Sequence, residues 1–174
     1  MTDLNKISRR NALGNLASLA TISIVPSRVL GLNGQTPPSE ELTRALLGCG
    51  GISNSHLGMP GRILAVCDVD SQRMAQRQGQ AIKRGNKDVK AYADFREIIA
   101  RDDIDIIHTC TPPHWHAHMA IAAAKAGKHV WGEKPMSRTI GEGLAMKKAI
   151  QKADVKFRIN TWFRFKSTFY GSGV

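Results

Sequence analysis

The stretch of residues 104–135 constrains the fold of this chain most, because strand, turn and helix patterns follow one another in it without a gap. Residues 104–109 form an apolar, β-branched run, which is typical of a strand covered on both faces. Pro112-Pro113 ends this run, since proline lacks the N–H group that a continuing strand needs. The alanine-rich residues 114–126 then predict a helix.

A second strand follows this helix and leads into a charged tripeptide. Gly127 stands where a left-handed glycine commonly ends a helix, and residues 129–131 predict a short buried strand. Glu133, Lys134 and Pro135 then lie at the carboxyl end of that strand. Ligands of open parallel sheets bind at this end, so Lys134 is a candidate functional residue.

Similar strand and helix patterns alternate along the whole of residues 42–161. The predicted strands are residues 42–47, 63–67, 89–92, 104–109, 129–131 and 156–161. The predicted helices are residues 52–59, 71–85, 95–101, 114–126 and 140–153. This alternation predicts an α/β fold with a doubly wound parallel sheet. The first helix has only about two turns, so we expect its crossover to be distorted.

A glycine-rich turn follows the first predicted strand. Gly48 permits a tight turn, Gly50 lets backbone N–H groups approach a pyrophosphate, and Ser53 replaces the third glycine of G-x-G-x-x-G. Asp68 follows 20 residues after Gly48, where an acid binds the ribose hydroxyls of a dinucleotide, with Asp70 as a substitute. A carboxylate there repels a 2′-phosphate and favours NAD, with NADP as the alternative. The other interpretation of Asp68 is a plain helix N-cap ahead of Ser71.

The formal net charge of +11 raises the question of nucleic-acid binding. The basic residues are spread along the chain, and no strand interleaves them with aromatic residues as RNA-binding motifs do. We therefore expect no nucleic-acid partner. The basic residues of the polar helix predicted at 71–85, with Ser71 as its cap, are interpreted as a solvated face: Arg73, Arg77, Lys83 and Arg84.

Neither the cysteines nor the histidines have the spacing of a metal site. The three cysteines lie in or beside predicted strands and are interpreted as small core residues: Cys49, Cys67 and Cys110. His114, His116 and His118 alternate on one helix, so their side chains point in different directions and cannot converge on one ion. We expect no metal.

Residues 1–34 resemble an export signal rather than part of the fold. A basic segment ending in Arg9-Arg10 precedes a weakly apolar run, and residues 8–13 resemble the twin-arginine motif. This predicts a periplasmic protein without a stable membrane span; the alternative is a basic amphipathic tail. Residues 35–41 are a polar, proline-containing linker.

Three segments together resemble the Gfo/Idh/MocA oxidoreductases, the family of glucose–fructose oxidoreductase and inositol dehydrogenase. They are the glycine-rich turn at 48–52, the strand end at 65–70, and the stretch from Thr111 to Pro135. The resemblance implies an NAD(P)-binding Rossmann domain over residues 42–165. It also implies a C-terminal α/β domain, which we expect to be missing here, with residues 166–174 as its truncated start. The full-length form is expected to be a homo-oligomer.

The resemblance also assigns roles to single residues. Lys134 would be catalytic, because a lysine beside a cofactor can hydrogen-bond the reacting oxygen and stabilise developing alkoxide charge. Asn160 and Arg164 would lie towards the nicotinamide side. The residues expected to bind cofactor are Gly48, Gly50, Gly51, Ile52, Asp68, Thr111, Pro112, His116, Glu133 and Lys134.

The expected function is that of an NAD(P)-dependent oxidoreductase that passes a hydride between a nicotinamide cofactor and a sugar or polyol derivative. The fragment alone is expected to be inactive without the substrate domain. The alternatives are an NAD-dependent glycosidase branch of the same family, or a nucleotide-binding remnant without activity.

Overall fold

A computed structural model of the chain describes residue 37 and residues 40–161. Within them, strands and helices alternate strictly. The strands are β1 (Thr43–Leu47), β2 (Arg62–Cys67), β3 (Lys90–Tyr92), β4 (Ile106–Thr109), β5 (His129–Glu133) and β6 (Phe157–Asn160). The helices are α1 (Ser53–Leu57), α2 (Ser71–Lys83), α3 (Phe95–Ile99), α4 (Pro113–Lys125) and α5 (Ile140–Ala153).

The six strands form one parallel sheet in the order β3-β2-β1-β4-β5-β6. The first strand, β1, therefore lies in the middle of the sheet. Strands β2 and β3 extend the sheet on one side of it, and β4, β5 and β6 extend it on the other. This confirms the prediction of a doubly wound, Rossmann-type α/β fold. Because all strands run in one direction, the loops after β1, β2, β4 and β5 all emerge at the same edge.

Apolar side chains bury both faces of the sheet. In β1, Ala45 and Leu47 belong to one core cluster and Leu46 to another, as the two-residue period of a strand requires. In β2 the register shifts at a bulge, where Leu64 is the extra residue opposite the Arg44–Ala45 step of β1. Leu64 and Ala65 consequently both face the first cluster, which packs under α3, α4 and α5.

Helix α1 is even shorter than predicted, with five residues instead of eight. The buried guanidinium of Arg44 compensates by donating hydrogen bonds to four carbonyl oxygens: His56, Leu57, Met59 and Gly61. These carbonyls belong to the end of α1 and the turn after it, where no further helical turn supplies donors. Burial lowers the pKa of Arg44 to about 10, so the side chain stays charged at neutral pH.

Helix α2 differs from its prediction in two respects. Its N-cap is Asp70, whose carboxylate accepts the N–H groups of Gln72 and Arg73, so Ser71 is not the cap. The prediction of a solvated basic face is wrong for Arg77, which is only 5% exposed because it faces the sheet together with Ala81, one turn further on.

The remaining helix ends follow their sequence signals. Thr139 and Glu142 form a reciprocal capping box at the start of α5. Gly127, after α4, has a φ of 74°, as a left-handed helix stop does. Earlier in the sequence than β1, Pro37 and Glu40 form a turn in which the Glu40 N–H donates to the Pro37 carbonyl.

No helix among the described residues is both long and apolar enough to span a bilayer. The proposed leader, residues 1–34, lies outside the part of the chain that the structure describes. The same is true of Arg164, of residues 166–174, and of most of the proposed linker.

Replacing Arg44 by leucine should remove the donor for four carbonyl groups, two of them in buried and two in partly buried hydrogen bonds. We expect the free energy of unfolding to fall by about 3 kcal/mol or more, since each unsatisfied buried acceptor costs on the order of 1 kcal/mol or more. Urea denaturation of Arg44→Leu and of the exposed control Arg62→Leu measures this. The control should change stability by less than about 0.5 kcal/mol, and equal values for both variants would contradict the role of Arg44.

Candidate functional site

A cleft of about 740 Å³ opens at the edge of the sheet where β1, β2 and β4 end. Seven of the ten residues predicted to bind cofactor line it: Gly48, Gly50, Gly51, Ile52, Asp68, Thr111 and Pro112. His116, Glu133 and Lys134 are not part of this lining. A second, more apolar cavity of about 700 Å³ lies along α5 and contains none of the ten.

The glycines of the turn after β1 serve different purposes. At Gly48 φ is 95°, and a Cβ atom would lie 2.6 Å from the Cys110 carbonyl oxygen, so the fold itself requires glycine. A Cβ atom at Gly50 or Gly51 would meet nothing within 4 Å. These two glycines leave open space on the cleft side, as the close approach of a ligand to the backbone requires.

Asp68 joins the glycine-rich turn to the end of β2. Its Oδ2 accepts the Cys49 N–H at 2.6 Å, and its Oδ1 accepts the Asp70 N–H at 2.9 Å. A carboxylate has about four acceptor positions, so each oxygen keeps one for a ligand hydroxyl. Asp70, not Asp68, is the helix cap, which leaves Asp68 at the cleft.

Arg77 is the functional candidate that sequence reasoning missed. From α2 it donates to the carbonyl oxygens of Cys49 and Gly50, on the turn itself. The available signal was its spacing of four residues from Ala81, which places both on one side of α2. In a helix with few apolar residues, that signal was too weak to oppose the usual exposure of arginine.

His116 is buried and contacts two loops. Its Nδ1 is 2.7 Å from the Pro135 carbonyl oxygen and its Nε2 is 2.7 Å from the Thr111 carbonyl oxygen. The ring therefore connects the loop before α4 to the segment after β5. The Lys134–Pro135 peptide bond in that segment is cis.

A chain of buried polar side chains ends at Glu133. Oε1 of Glu133 contacts Nε2 of His56 at 2.7 Å and Nδ2 of Asn160, and Oε2 accepts the backbone N–H of Lys134. Nδ1 of His56 in turn lies 2.8 Å from Nδ1 of His108. The exposed Lys134 thus directly follows Glu133, the strand end that His56 and Asn160 hold by hydrogen bonds.

The hydrogen-bond pattern determines where the protons lie in this chain. An ionised carboxylate only accepts, so Nε2 of His56 carries its proton and Nδ1 of His56 accepts from His108. Burial lowers the pKa of His108 to about 2, and the nearby His56 and Arg44 contribute to this shift. Burial also lowers the pKa of His56, against the opposing effect of Glu133. Both imidazoles are therefore neutral at physiological pH.

The three cysteines are buried free thiols, as predicted. Burial raises the pKa values of Cys49 and Cys67 to about 12 each, and that of Cys110 well above its usual range. All three stay protonated, so they are poor nucleophiles and poor metal ligands. Among residues 40–161, no group of three or more His, Cys, Asp or Glu side chains is placed to hold a metal ion.

Comparison with known proteins extends over most of the described chain. The family model GFO_IDH_MocA, described as an oxidoreductase family with an NAD-binding Rossmann fold, matches residues 42–161. A glycosyl hydrolase family 109 protein of Solibacter usitatus is 33% identical over an alignment 155 positions long, which covers 80% of this chain and 35% of the relative.

One further relative and one solved structure are also similar to this chain. Levoglucosan dehydrogenase of Pseudarthrobacter phenanthrenivorans is 46% identical over 63 residues, 36% of this chain and 16% of that protein. The WlbA dehydrogenase of Chromobacterium violaceum, solved with NADH and UDP-GlcNAcA, superimposes with a TM-score of 0.65 at 30% identity. That match covers 75% of this chain and 38% of the solved one, so this chain spans little more than a third of it.

Acidification should destabilise the protein through the buried histidines. Below about pH 6.5 the unfolded chain protonates His108, while the native state, with a pKa of about 2, does not. The unfolded state then binds more protons, so stability falls as pH falls, by up to about 1.4 kcal/mol per pH unit for this residue. Urea denaturation between pH 7.5 and pH 5.5 measures the slope.

His108→Gln should have a smaller slope than wild type, whereas the exposed control His114→Gln should keep the wild-type slope. Identical slopes for wild type and His108→Gln would show that His108 does not stay neutral in the native state.

Proposed function

The chain belongs to the Gfo/Idh/MocA family of NAD-binding oxidoreductases, and we propose that it serves hydride transfer between NAD and a sugar or polyol derivative. Membership confirms the family resemblance and, at the level of the family, NAD as the cofactor. The choice of a sugar-type substrate is supported by two relatives, one named for levoglucosan and one solved with UDP-GlcNAcA.

The observation that carries the proposal is the open glycine-rich turn beside Asp68. Gly50 and Gly51 line the cleft, and a Cβ atom at either would have no protein atom within 4 Å, which is the space that a diphosphate needs against the backbone. Asp68 lines the same cleft with acceptor capacity for ribose hydroxyls. The carboxylate of Asp68 favours NAD over NADP, because it repels a 2′-phosphate.

Lys134 is the proposed catalytic residue. Bound NAD would supply the hydride acceptor at the same edge of the sheet. The Lys134 ammonium would hydrogen-bond the substrate oxygen and stabilise the negative charge that develops on it as the hydroxyl releases its proton to water and the adjacent carbon gives its hydride to NAD. Glu133 holds the backbone N–H of Lys134, and His116 holds the Pro135 carbonyl, so the backbone is fixed on both sides of the lysine. Such fixation favours accurate placement of a reacting group.

A second candidate is the glycosidase branch of the family, in which NAD oxidises the sugar transiently and is regenerated. The observation that favours it is the name of the Solibacter relative, a glycosyl hydrolase family 109 protein. The two functions differ in their products. The dehydrogenase accumulates NADH with a sugar substrate, whereas the glycosidase cleaves an aryl glycoside without net NADH formation.

Gly50→Ala should weaken NAD binding without unfolding the protein. The added methyl group meets no protein atom, so the free energy of unfolding should change by less than about 1 kcal/mol. It would occupy the space proposed for the diphosphate, so the dissociation constant should rise at least about tenfold in calorimetry. Gly79→Ala on α2, where a Cβ atom also meets nothing within 4 Å, is the matched control and should bind NAD as wild type does. Unchanged affinity in Gly50→Ala would argue against this binding site.

Lys134→Ala should lower kcat by about a hundredfold or more, the range found for loss of one acid–base group, and should leave NAD affinity within twofold (about 0.4 kcal/mol). The assay follows sugar-dependent NADH formation by the absorbance of NADH. It uses the shortest form of the protein in which the wild type forms NADH in this way. Lys125→Ala, at the exposed end of α4, is the control. Equal activity of Lys134→Ala and wild type would remove the catalytic assignment.

A further inference from the structure

The glycine-rich turn rests on a buried guanidinium. Nη2 of Arg77 donates to the carbonyl oxygens of Cys49 at 3.3 Å and Gly50 at 3.0 Å. Nη1 donates to Asn54 Oδ1 at 3.1 Å and to Gln80 Oε1 at 2.6 Å. One side chain of α2 is thus bonded to the turn, to α1 and to its own helix.

The planarity of the peptide bond converts these contacts into an orientation of the turn. In a trans peptide unit the C=O and the following N–H point in opposite directions. Arg77 holds the carbonyls of Cys49 and Gly50 on its own side, and Ser53 also donates to the Gly50 carbonyl through its N–H and its hydroxyl. The N–H groups of Gly50 and Gly51 therefore point away from Arg77. Neither N–H donates to an acceptor among the described residues, and both glycines line the cleft.

Burying a charged guanidinium between two elements costs desolvation free energy. Its Nε is buried and has no hydrogen-bond partner within the described part of the chain. As with Arg44, an apolar side chain of similar size would leave several oxygen acceptors without their donor. The guanidinium additionally places a positive charge directly beneath a turn that is proposed to receive a dianionic diphosphate.

We propose that Arg77 is a positioning residue for the cofactor diphosphate: it orients the Gly50 and Gly51 N–H groups towards the cleft and adds a positive charge behind them. This inference rests on the proposed NAD site at the same turn. The proposal adds the Arg77 side chain of α2 to the site. The glycine motif by itself accounts only for the turn.

The test compares ligands that contain the diphosphate with one that lacks it. The 174-residue chain and its variants are titrated with NAD and with ADP-ribose by calorimetry, and with adenosine by ligand-observed NMR. Arg77→Met should bind NAD and ADP-ribose at least about tenfold more weakly and adenosine within about twofold of wild type. Lys83→Met removes one charge from the exposed end of the same helix and should leave all three affinities unchanged.

Arg77→Lys separates orientation from charge and serves if Arg77→Met fails to fold. It keeps the charge but lacks the planar fork that reaches several acceptors at once, so it should lose part of the affinity for NAD and ADP-ribose only. Wild-type affinity of either Arg77 variant for NAD would overturn the proposal, as would an equal loss for adenosine and ADP-ribose. If wild type itself does not bind NAD, the proposed function fails instead.

Discussion

The parallel register of β1 between β2 and β4 determines the position of the whole candidate site. Leu47 pairs with Cys67 on one side and with Thr109 on the other, so the three strands end at one level. The Gly48 N–H then donates to the Cys67 carbonyl, and the Cys110 N–H donates to the Leu47 carbonyl. The turn after β1 is drawn so close to the loop after β4 that only glycine fits at position 48.

The two faces of the sheet are stabilised in different ways. The face under α3, α4 and α5 has the larger apolar cluster, in which the small residues of α4 allow close helix packing. The face under α1 and α2 has a smaller cluster, because α1 is only five residues long. Buried polar groups fill the space on this side: Arg44 below the turn after α1, Arg77 below the glycines, and His56 between His108 and Glu133. Of these groups, Arg77 supports the turn that lines the cleft, whereas α3 and α4 line the cleft from the other face.

The fold was predictable because its signals are local. Each strand and helix was recognised, with ends that differ by at most a few residues, since proline, glycine and capping residues mark the boundaries within the segment itself. The differences fall where a long-range contact decides the outcome. Residues 104 and 105 lie outside β4, where Asp105 instead binds Thr43 of β1 through its carboxylate. Strand β5 extends two residues beyond its prediction, because Gly132 and Glu133 continue to pair with β4 and β6.

The sequence by itself determined the parallel α/β architecture, the glycine-rich turn and the acid after β2, because each depends on a short pattern of residue types. Only the tertiary structure showed that Asp68 binds the turn, that Arg77 is buried beneath it, and that His56 and His108 form a chain ending at Glu133. These contacts join residues from 19 to 77 positions apart. A sequence pattern fixes the direction in which a side chain leaves its own strand or helix. Whether a charged or polar side chain is buried and paired depends on which other elements the fold brings against it.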